Sequence, residues 1–180
     1  MGLDQYLEAR QYISKRDWSG DEPVDNKEYP IVEAMTQPGV VDPTAGGGIT
    51  LQYTAIQWRK ANAIHRWMEA NVTIGELENC RDYPIHGDQL KQLRDDCRAV
   101  FDAQREGSDV ATVAEERNLL PQPGFFFGSY DMDDWYFEHL DFTVLSINRL
   151  EKAGALDPEG DITLIGKDTG NLSFTYRAWW

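Results

Sequence analysis

The 180-residue sequence predicts a single α+β domain, residues 1–180, with one antiparallel sheet built from N- and C-terminal strands and about three helices packed on it. Two observations lead to this prediction. Apolar residues alternate with polar ones near both chain ends, as in half-buried strands, whereas between the ends they recur with the helical period of about 3.6. Strands that flank a block of helices are typical of an α+β fold.

Two strands are predicted before the helices. The first spans residues 3–14; helix propensity is not low there, so the assignment depends on the alternation and on the missing helix cap. Residues 18–48 carry glycine, proline, aspartate and asparagine at short intervals and are interpreted as an irregular loop or flap insertion, within which residues 31–36 could form a short helix. The second strand, residues 49–57, follows three glycines.

The chain is organised around residues 58–72, WRKANAIHRWMEANV, which are predicted to form a helix. At about 100° per residue, four apolar residues share one face that should point into the core. The flanks of that face carry groups that stack on rings and hydrogen-bond to polar ligands. These groups are Trp58, Asn62 and His65 on one flank, Lys60 on the other, and Arg59 further outward. The alternative is that Asn62 and His65 are satisfied edge residues without a ligand.

Two long helices are predicted after a connection at residues 73–84. The first begins at residues 86–88, ends near residue 105 and carries a regular apolar stripe. The second spans residues 133–153, and either Ser129 or Asp131 can cap its start.

Shorter elements complete the prediction. Residues 110–120 should add a short turn of helix. The chain then closes with two strands, residues 162–166 and 172–179, joined by a hairpin turn at residues 168–171.

Composition excludes several classes of protein. The net charge of −14, from 31 acidic and 17 basic residues, argues against binding a DNA or RNA polymer. A small phosphate ligand is still compatible, because a pocket's local charge can oppose that of the whole chain. A DNA mimic would need carboxylates spaced along a surface, whereas here they are dispersed among aromatic residues. No apolar run approaches the ~20 residues of a membrane span, and two cysteines suggest a reducing cytosol.

Catalytic motifs are missing from the sequence. It contains no P-loop, no GxGxxG after a strand, no HExxH and no GxSxG. The three histidines are scattered, and no spacing suggests converging metal ligands. The sequence therefore predicts a protein without metal or cofactor that is not an enzyme.

A binding site for a planar, polar ligand is predicted instead. Aromatic rings can stack on a base, an asparagine can hydrogen-bond to a base edge, and arginine or lysine can hold phosphates. Backbone N–H groups at a glycine-flanked helix start can bind an anion. The predicted site comprises Trp58, Arg59, Lys60, Asn62, His65, Phe127, Gly128, Ser129, Tyr130 and Arg177. The alternative is that these are core aromatics and surface charges.

Several blocks of the sequence carry a resemblance to a known family. They are MGLDQYLEARQYIS, WRKANAIHRWMEANV with Asn79-Cys80, QLKQLRDDC, LLPQPGFFFGSYDMDDWY and the terminal Trp. They resemble a widespread phage and prophage family whose members begin MGLDMYL, carry WRKANxIHxWF and GFFFGS blocks, and end in a strand with a final Trp. The chain departs from this pattern at Gln5, where Met is usual, at Met68, where Phe is common, in its longer 18–48 loop and in its Trp179-Trp180 end.

The resemblance implies a function by class. Small accessory phage proteins of this kind resemble counter-defence proteins, one type of which sequesters the cyclic nucleotides of CBASS and Thoeris defence. It thus implies a phage-encoded protein in the cytoplasm of the infected bacterial host that binds cyclic oligonucleotide signals without cleaving them. The alternatives are a nucleotide-processing enzyme, although paired His-x-Thr or His-x-Ser motifs are absent, and an acidic inhibitor of a host enzyme. Six tryptophans and an aromatic terminus suggest a homodimer or higher homo-oligomer.

Overall fold

The structure, a computed structural model, describes residues 2–17, 22, 24–25, 48–73, 76–124, 128–156 and 172–180. Its strands are β1 (Asp4–Ser14), β2 (Arg16–Asp17), β3 (Val24–Asp25), β4 (Gly48–Arg59), β5 (Asp82–Ile85) and β6 (Leu172–Trp179). Its helices are α1 (Asn62–Val72), α2 (Gly87–Glu106), α3 (Val110–Glu116) and α4 (Asp134–Lys152).

The predicted α+β architecture is confirmed. Four strands form an antiparallel sheet in the order β4-β1-β6-β5, so the first and last strands of the chain lie side by side. Gln5 of β1 lies opposite Trp58 on one side and opposite Ala178 on the other. Strands β2 and β3 form a separate two-stranded pair.

The core lies on one face of the sheet. The alternation predicted for the first strand is real, because Leu3, Gln5, Leu7 and Ala9 are buried while Asp4, Tyr6 and Glu8 are partly exposed. Each such leucine contributes ~1.5–3 kcal/mol by burial. On α1 the predicted inward residues Ile64 and Met68 are fully buried as well.

The buried carboxylate of Asp96 fixes α1 against two neighbouring helices. The indole N–H of Trp67 donates to Asp96 Oδ2 at 2.9 Å, and the guanidinium of Arg117 donates to Asp96 Oδ1 at 2.8 Å. These bonds tie α1 to α2 and to the end of α3. A carboxylate in this position needs both partners, because an unpaired buried charge is strongly destabilising.

The start of the central helix differs from the prediction. Residues 58–72 were expected to be helical throughout, but α1 begins at Asn62, and Trp58 and Arg59 are the last residues of β4. They pair with Gln5 and Asp4 of β1. Pairing with a distant strand outweighs local helix propensity here, as tertiary context commonly does. Trp58 consequently points into the core instead of lying on a helix flank.

Other differences are smaller. The predicted connection at 73–84 contains the first residues of the edge strand β5, and Asp133, instead of Ser129 or Asp131, caps α4 by accepting from the Tyr136 N–H. Most of the 18–48 flap, including residues 31–36, lies outside the described residues, and so does the predicted strand 162–166 with its turn. Within the described ranges no helix has the length and apolar character needed to cross a membrane.

Candidate functional site

A cavity of about 670 Å³ opens where β4 turns into α1. Its walls come from the end of β4, the first turn of α1, the segment before α4 (residues 128–133) and the first turns of α4. Small-molecule sites usually occupy about 300–1,000 Å³, so this cavity can hold a nucleotide-sized ligand. It is lined by Gln57, Trp58, Arg59, Lys60, Ala61, Asn62, Ala63, Ile64, Gly128, Ser129, Asp131, Asp133, Trp135, Tyr136, His139 and Phe142.

Lys60 links β4 to α1 in an unusual backbone conformation. Its φ is 58°, in the left-handed region that favours glycine. Its stem lies against Gly128, because a Cβ added at Gly128 would be 3.2 Å from the Lys60 Cβ. Gly128 itself has a φ of 98°, so both its backbone conformation and its close approach to Lys60 favour glycine at this position. Holding a lysine in this region costs ~1–3 kcal/mol, and such strain is often found at functional sites.

The Lys60 ammonium is an exposed cation at the rim of the cavity. Within the part of the chain that the structure describes, no carboxylate pairs with it. Its neighbour Arg59 is also exposed and lies 3.8 Å from Asp4. Lys60 is therefore available to an anionic ligand.

Asn62 connects the two walls of the cavity. Its side chain is 5% exposed, and its amide N–H donates to the Ser129 carbonyl at 2.7 Å. The Ser129 hydroxyl in turn accepts from the Asp131 N–H at 3.1 Å. Asn62 therefore holds the segment before α4 against α1. This role differs from the hydrogen bond to a base edge that its residue type suggested.

The N-terminus of α1 faces the cavity. Ala61 occupies the N-cap position and makes no side-chain cap hydrogen bond, and the first turn of the helix contains no acidic residue. A helix N-terminus carries a positive partial charge and presents backbone N–H groups, which together favour anions. This end of the cavity therefore combines a helix dipole with the Lys60 cation.

Two tryptophans of very different exposure border the cavity. Trp58 is 1% exposed, and its indole N–H donates to the Thr143 hydroxyl at 2.9 Å. Trp135, in the first turn of α4, is 68% exposed, and Phe142 lies two turns further along the same helix. The open aromatic surface at the cavity therefore belongs to Trp135 and Phe142.

Sequence reasoning missed Trp135, Phe142 and His139. The helical period of α4 could have identified the two aromatic residues, because Trp135 and Phe142 fall outside its buried stripe. Large aromatic side chains on the exposed face of a helix indicate a possible binding surface. Burial lowers the pKa of His139, an effect opposed by Glu138, by Asp133 and by a hydrogen bond to the Arg59 backbone.

His65 lies outside the cavity in a closed hydrogen-bond network. It is 2% exposed, and its Nδ1 is 3.0 Å from the Tyr176 hydroxyl. That hydroxyl accepts from Gln5 Nε2 at 3.0 Å, and it can donate its own proton to Nδ1 of a neutral His65 imidazole. Burial lowers the pKa of His65 to about 4, against a smaller opposing effect of Glu69.

Gln5 extends this network to the start of α1. Its Nε2 also donates to the Ala61 carbonyl at 3.1 Å, and its Oε1 accepts from the Ala61 N–H at 3.1 Å. Both backbone groups of the N-cap residue are thus held by one side chain. The network therefore positions the helix end that faces the cavity.

Other predicted site residues also lie elsewhere. Tyr130 is exposed and donates to the Gly124 carbonyl, but it does not line the cavity. Arg177 lies on the open face of the sheet, over the Trp179 ring and 3.8 Å from Asp82. Phe127 is outside the described residues. The structure thus brings together Trp58, Arg59, Lys60, Asn62, Gly128 and Ser129, and leaves His65, Tyr130 and Arg177 apart.

No metal centre is found in the ranges that the structure describes, where no three His, Cys, Asp or Glu side chains converge. Comparison of the chain with protein-family models, with curated proteins and with solved structures gave no match.

Proposed function

We propose that the protein binds a cyclic oligonucleotide immune signal in this cavity and sequesters it intact, as a phage counter-defence protein in the cytoplasm of the infected bacterium. The observation that carries the proposal is the pairing of an anion-binding end with an exposed aromatic wall in one cavity. A cyclic oligonucleotide has the matching chemistry, since it carries phosphates and planar bases in one compact ring.

The phosphate end is formed by Lys60 and the N-terminus of α1, whose N-cap residue Ala61 makes no side-chain cap hydrogen bond. A charge-assisted hydrogen bond contributes ~1.5–3 kcal/mol, and the helix N-terminus adds ~0.3–1 kcal/mol. Lys60 remains in the left-handed region, where glycine would fit without strain. Its charged side chain is the feature that a glycine would lack, which supports a role in binding.

The base end is formed by Trp135 and Phe142. Stacking of a base on an aromatic side chain is worth ~1–3 kcal/mol. The Trp135 indole is 68% exposed at the mouth of the cavity, whereas tryptophan side chains are on average highly buried. A base stacked on the indole would cover this exposed surface.

The two sequence blocks behind the family resemblance meet at this cavity. WRKAN supplies its first wall, and the glycine and serine of GFFFGS supply its second. They are joined by the Asn62–Ser129 hydrogen bond and by the packing of Lys60 on Gly128. This supports one shared role for both blocks.

The test is a binding assay followed by recovery of the ligand. The protein is incubated with a panel of cyclic di- and trinucleotides and cyclic ADP-ribose derivatives, desalted, heat-denatured and chromatographed. We expect retained and intact nucleotide. Linear products would instead identify a nucleotide-processing enzyme, and failure to retain any ligand would leave an acidic inhibitor of a host enzyme as the better interpretation.

Matched variants connect binding to the cavity. Lys60→Ala should weaken binding more at low salt than at high salt, because an exposed charge is screened. Lys152→Ala, an exposed lysine at the other end of α4, should leave binding unchanged. Equal affinities for both variants would contradict the proposal.

Light scattering tests assembly separately from binding. We propose a homodimer or higher homo-oligomer, supported by the exposed Trp179 side chain in the aromatic C-terminal segment of a chain of 20.6 kDa. Light scattering at micromolar concentration should then give at least twice that mass. A monomer mass would contradict the assembly without affecting the binding proposal.

A further inference from the structure

We infer that the cavity selects a guanine base, whose Watson–Crick edge is bound by the carboxylate of Asp131. This inference rests on the proposed function and adds a base preference to it. Its basis is the small number of groups on the cavity wall that remain able to hydrogen-bond to a base stacked on Trp135.

The amide side chains at the cavity are already engaged. The Asn62 amide N–H is bonded to the Ser129 carbonyl, and the side chain is nearly fully buried. The Gln57 amide donates to the Tyr6 hydroxyl at 3.4 Å. Facing a base edge, an amide presents one donor beside one acceptor, which is the pattern that matches adenine. The Asn62 amide is bonded to the segment before α4 and the Gln57 amide to β1, so both are engaged within the fold.

Asp131 is the carboxylate that remains available. Its backbone N–H is held by the Ser129 hydroxyl, which fixes its position four residues before Trp135. Its side chain is exposed and forms no ion pair with the residues that the structure describes, although Lys60 and Arg59 line the same cavity. The neighbouring Asp133 differs, because one of its oxygens caps α4 through the Tyr136 N–H.

An ionised carboxylate presents acceptors only. Guanine offers two adjacent donors, N1–H and N2–H, which can bond to both carboxylate oxygens at once. Adenine and cytosine place an acceptor nitrogen beside their amino group, and uracil flanks its single N–H with two carbonyl oxygens. Each of these would bring a lone pair against the negative carboxylate, so Asp131 both attracts guanine and repels the other bases.

A cavity made only for phosphate would gain nothing from a carboxylate, because a like charge weakens anion binding. Asp131 would therefore be unfavourable unless it contacts a part of the ligand that donates hydrogen bonds. The Lys60 and α1 end accounts for the phosphates, and Trp135 accounts for the ring face. The edge of the base is the part left for Asp131.

The test compares three probes, cyclic di-GMP, cyclic GMP–AMP and cyclic di-AMP, by calorimetry with the full chain. A bidentate pair discriminates between bases by about 10–100-fold. We expect the wild-type protein to bind both guanine-containing probes at least about tenfold more tightly than cyclic di-AMP. Asp131→Asn should bring that ratio close to one, because it replaces one acceptor by a donor.

Asp134→Asn is the matched control. Asp134 is exposed in the first turn of α4 and does not line the cavity. Its replacement by asparagine removes the same unit of negative charge as Asp131→Asn. A general electrostatic effect would change the affinities of both variants for all three probes alike, whereas reading of the base changes the ratio in Asp131→Asn alone. Circular dichroism of each variant establishes that it is folded.

The outcomes separate this inference from the proposed function. Equal or tighter binding of cyclic di-AMP by the wild type would overturn the guanine preference and leave nucleotide sequestration standing. An unchanged ratio in Asp131→Asn, or the same change in Asp134→Asn, would overturn the role of Asp131. If no probe in this set or in the wider panel binds, the proposed function fails and the inference fails with it.

Discussion

Two polar side chains at the beginning of α1, Lys60 and His65, are both candidate ligand-binding groups in the sequence, but they differ in the structure. Just before the helix, Lys60 is exposed, strained and without an ion pair among the described residues. One turn later, His65 is buried, and Tyr176 and Gln5 satisfy its network. Residue type alone does not separate these cases. The difference is whether the hydrogen-bonding capacity of the side chain is already used within the fold, and only an unused group can bind a ligand.

The two tryptophans of the cavity give the largest expected contrast. Trp58→Ala should lower the free energy of unfolding by ~3–5 kcal/mol, because it empties a fully buried site and removes a partner of Thr143. Trp135→Ala should change stability by no more than ~0.5 kcal/mol but weaken nucleotide binding roughly tenfold or more. Urea denaturation and calorimetry measure the two effects. Similar stability losses in both variants would contradict the assignment of Trp135 as the open ring.

The closed network should make stability depend on pH. The unfolded chain protonates His65 near pH 6.5, whereas the folded pKa is about 4, so the unfolded state binds more protons between these values. Stability is therefore complete above pH 6.5 and falls as the pH drops towards 4, by about 3 kcal/mol from this residue. His139, whose pKa is also lowered, contributes with the same sign.

Histidine NMR provides the direct measurement. The His65 imidazole should still be about 90% neutral at pH 5 in the folded protein, and urea midpoints should fall between pH 7 and pH 5. A folded pKa of 6 or above for His65 would contradict the hydrogen-bond direction assigned to Tyr176.

The fold was largely predictable because its main signals are local. Alternation in residues 3–14 gave both the strand and its buried face. The start of α1 was misplaced because Trp58 and Arg59 are determined by pairing with a distant strand, which no local window contains. Strand β5 was missed for the same reason, since its four residues include Pro84 and form a strand only by pairing with β6.

The candidate site was predictable only in part. Lys60, Asn62, Gly128 and Ser129 were expected together, and they meet. The place of His65 could not be deduced, because it depends on Tyr176, which lies 111 residues away in the chain. A helical wheel could have singled out Trp135, but it shows neither a cavity nor which segment faces it.

Gln5 tests how the closed network supports the open site. Gln5→Met keeps the volume of the side chain but leaves both backbone groups of Ala61 without this partner. The expected loss is ~1–3 kcal/mol of stability, with weaker ligand binding because the start of α1 is less firmly held. Gln104→Met, at an exposed position on α2, is the control and should change stability by less than ~0.5 kcal/mol. A neutral Gln5→Met would show that packing alone positions α1.

The smallest effect has the most informative sign. If Lys60 is retained for its charge despite its backbone conformation, Lys60→Gly should stabilise the protein, by up to about 1 kcal/mol, while weakening nucleotide binding. Most substitutions at ordinary surface positions do neither. Thermal unfolding and calorimetry on the same sample measure both quantities.

Asn118→Gly separates the backbone effect from the charge effect. Asn118 also has a φ of 58°, in the turn after α3, and it does not line the cavity. Asparagine tolerates the left-handed region better than lysine, so its replacement should raise stability less, and nucleotide affinity should stay unchanged. If Lys60→Gly instead loses stability, the contacts of its stem with Gly128 outweigh the backbone strain. In that case the conformation of Lys60 reflects packing between the two walls and gives no support to a binding role.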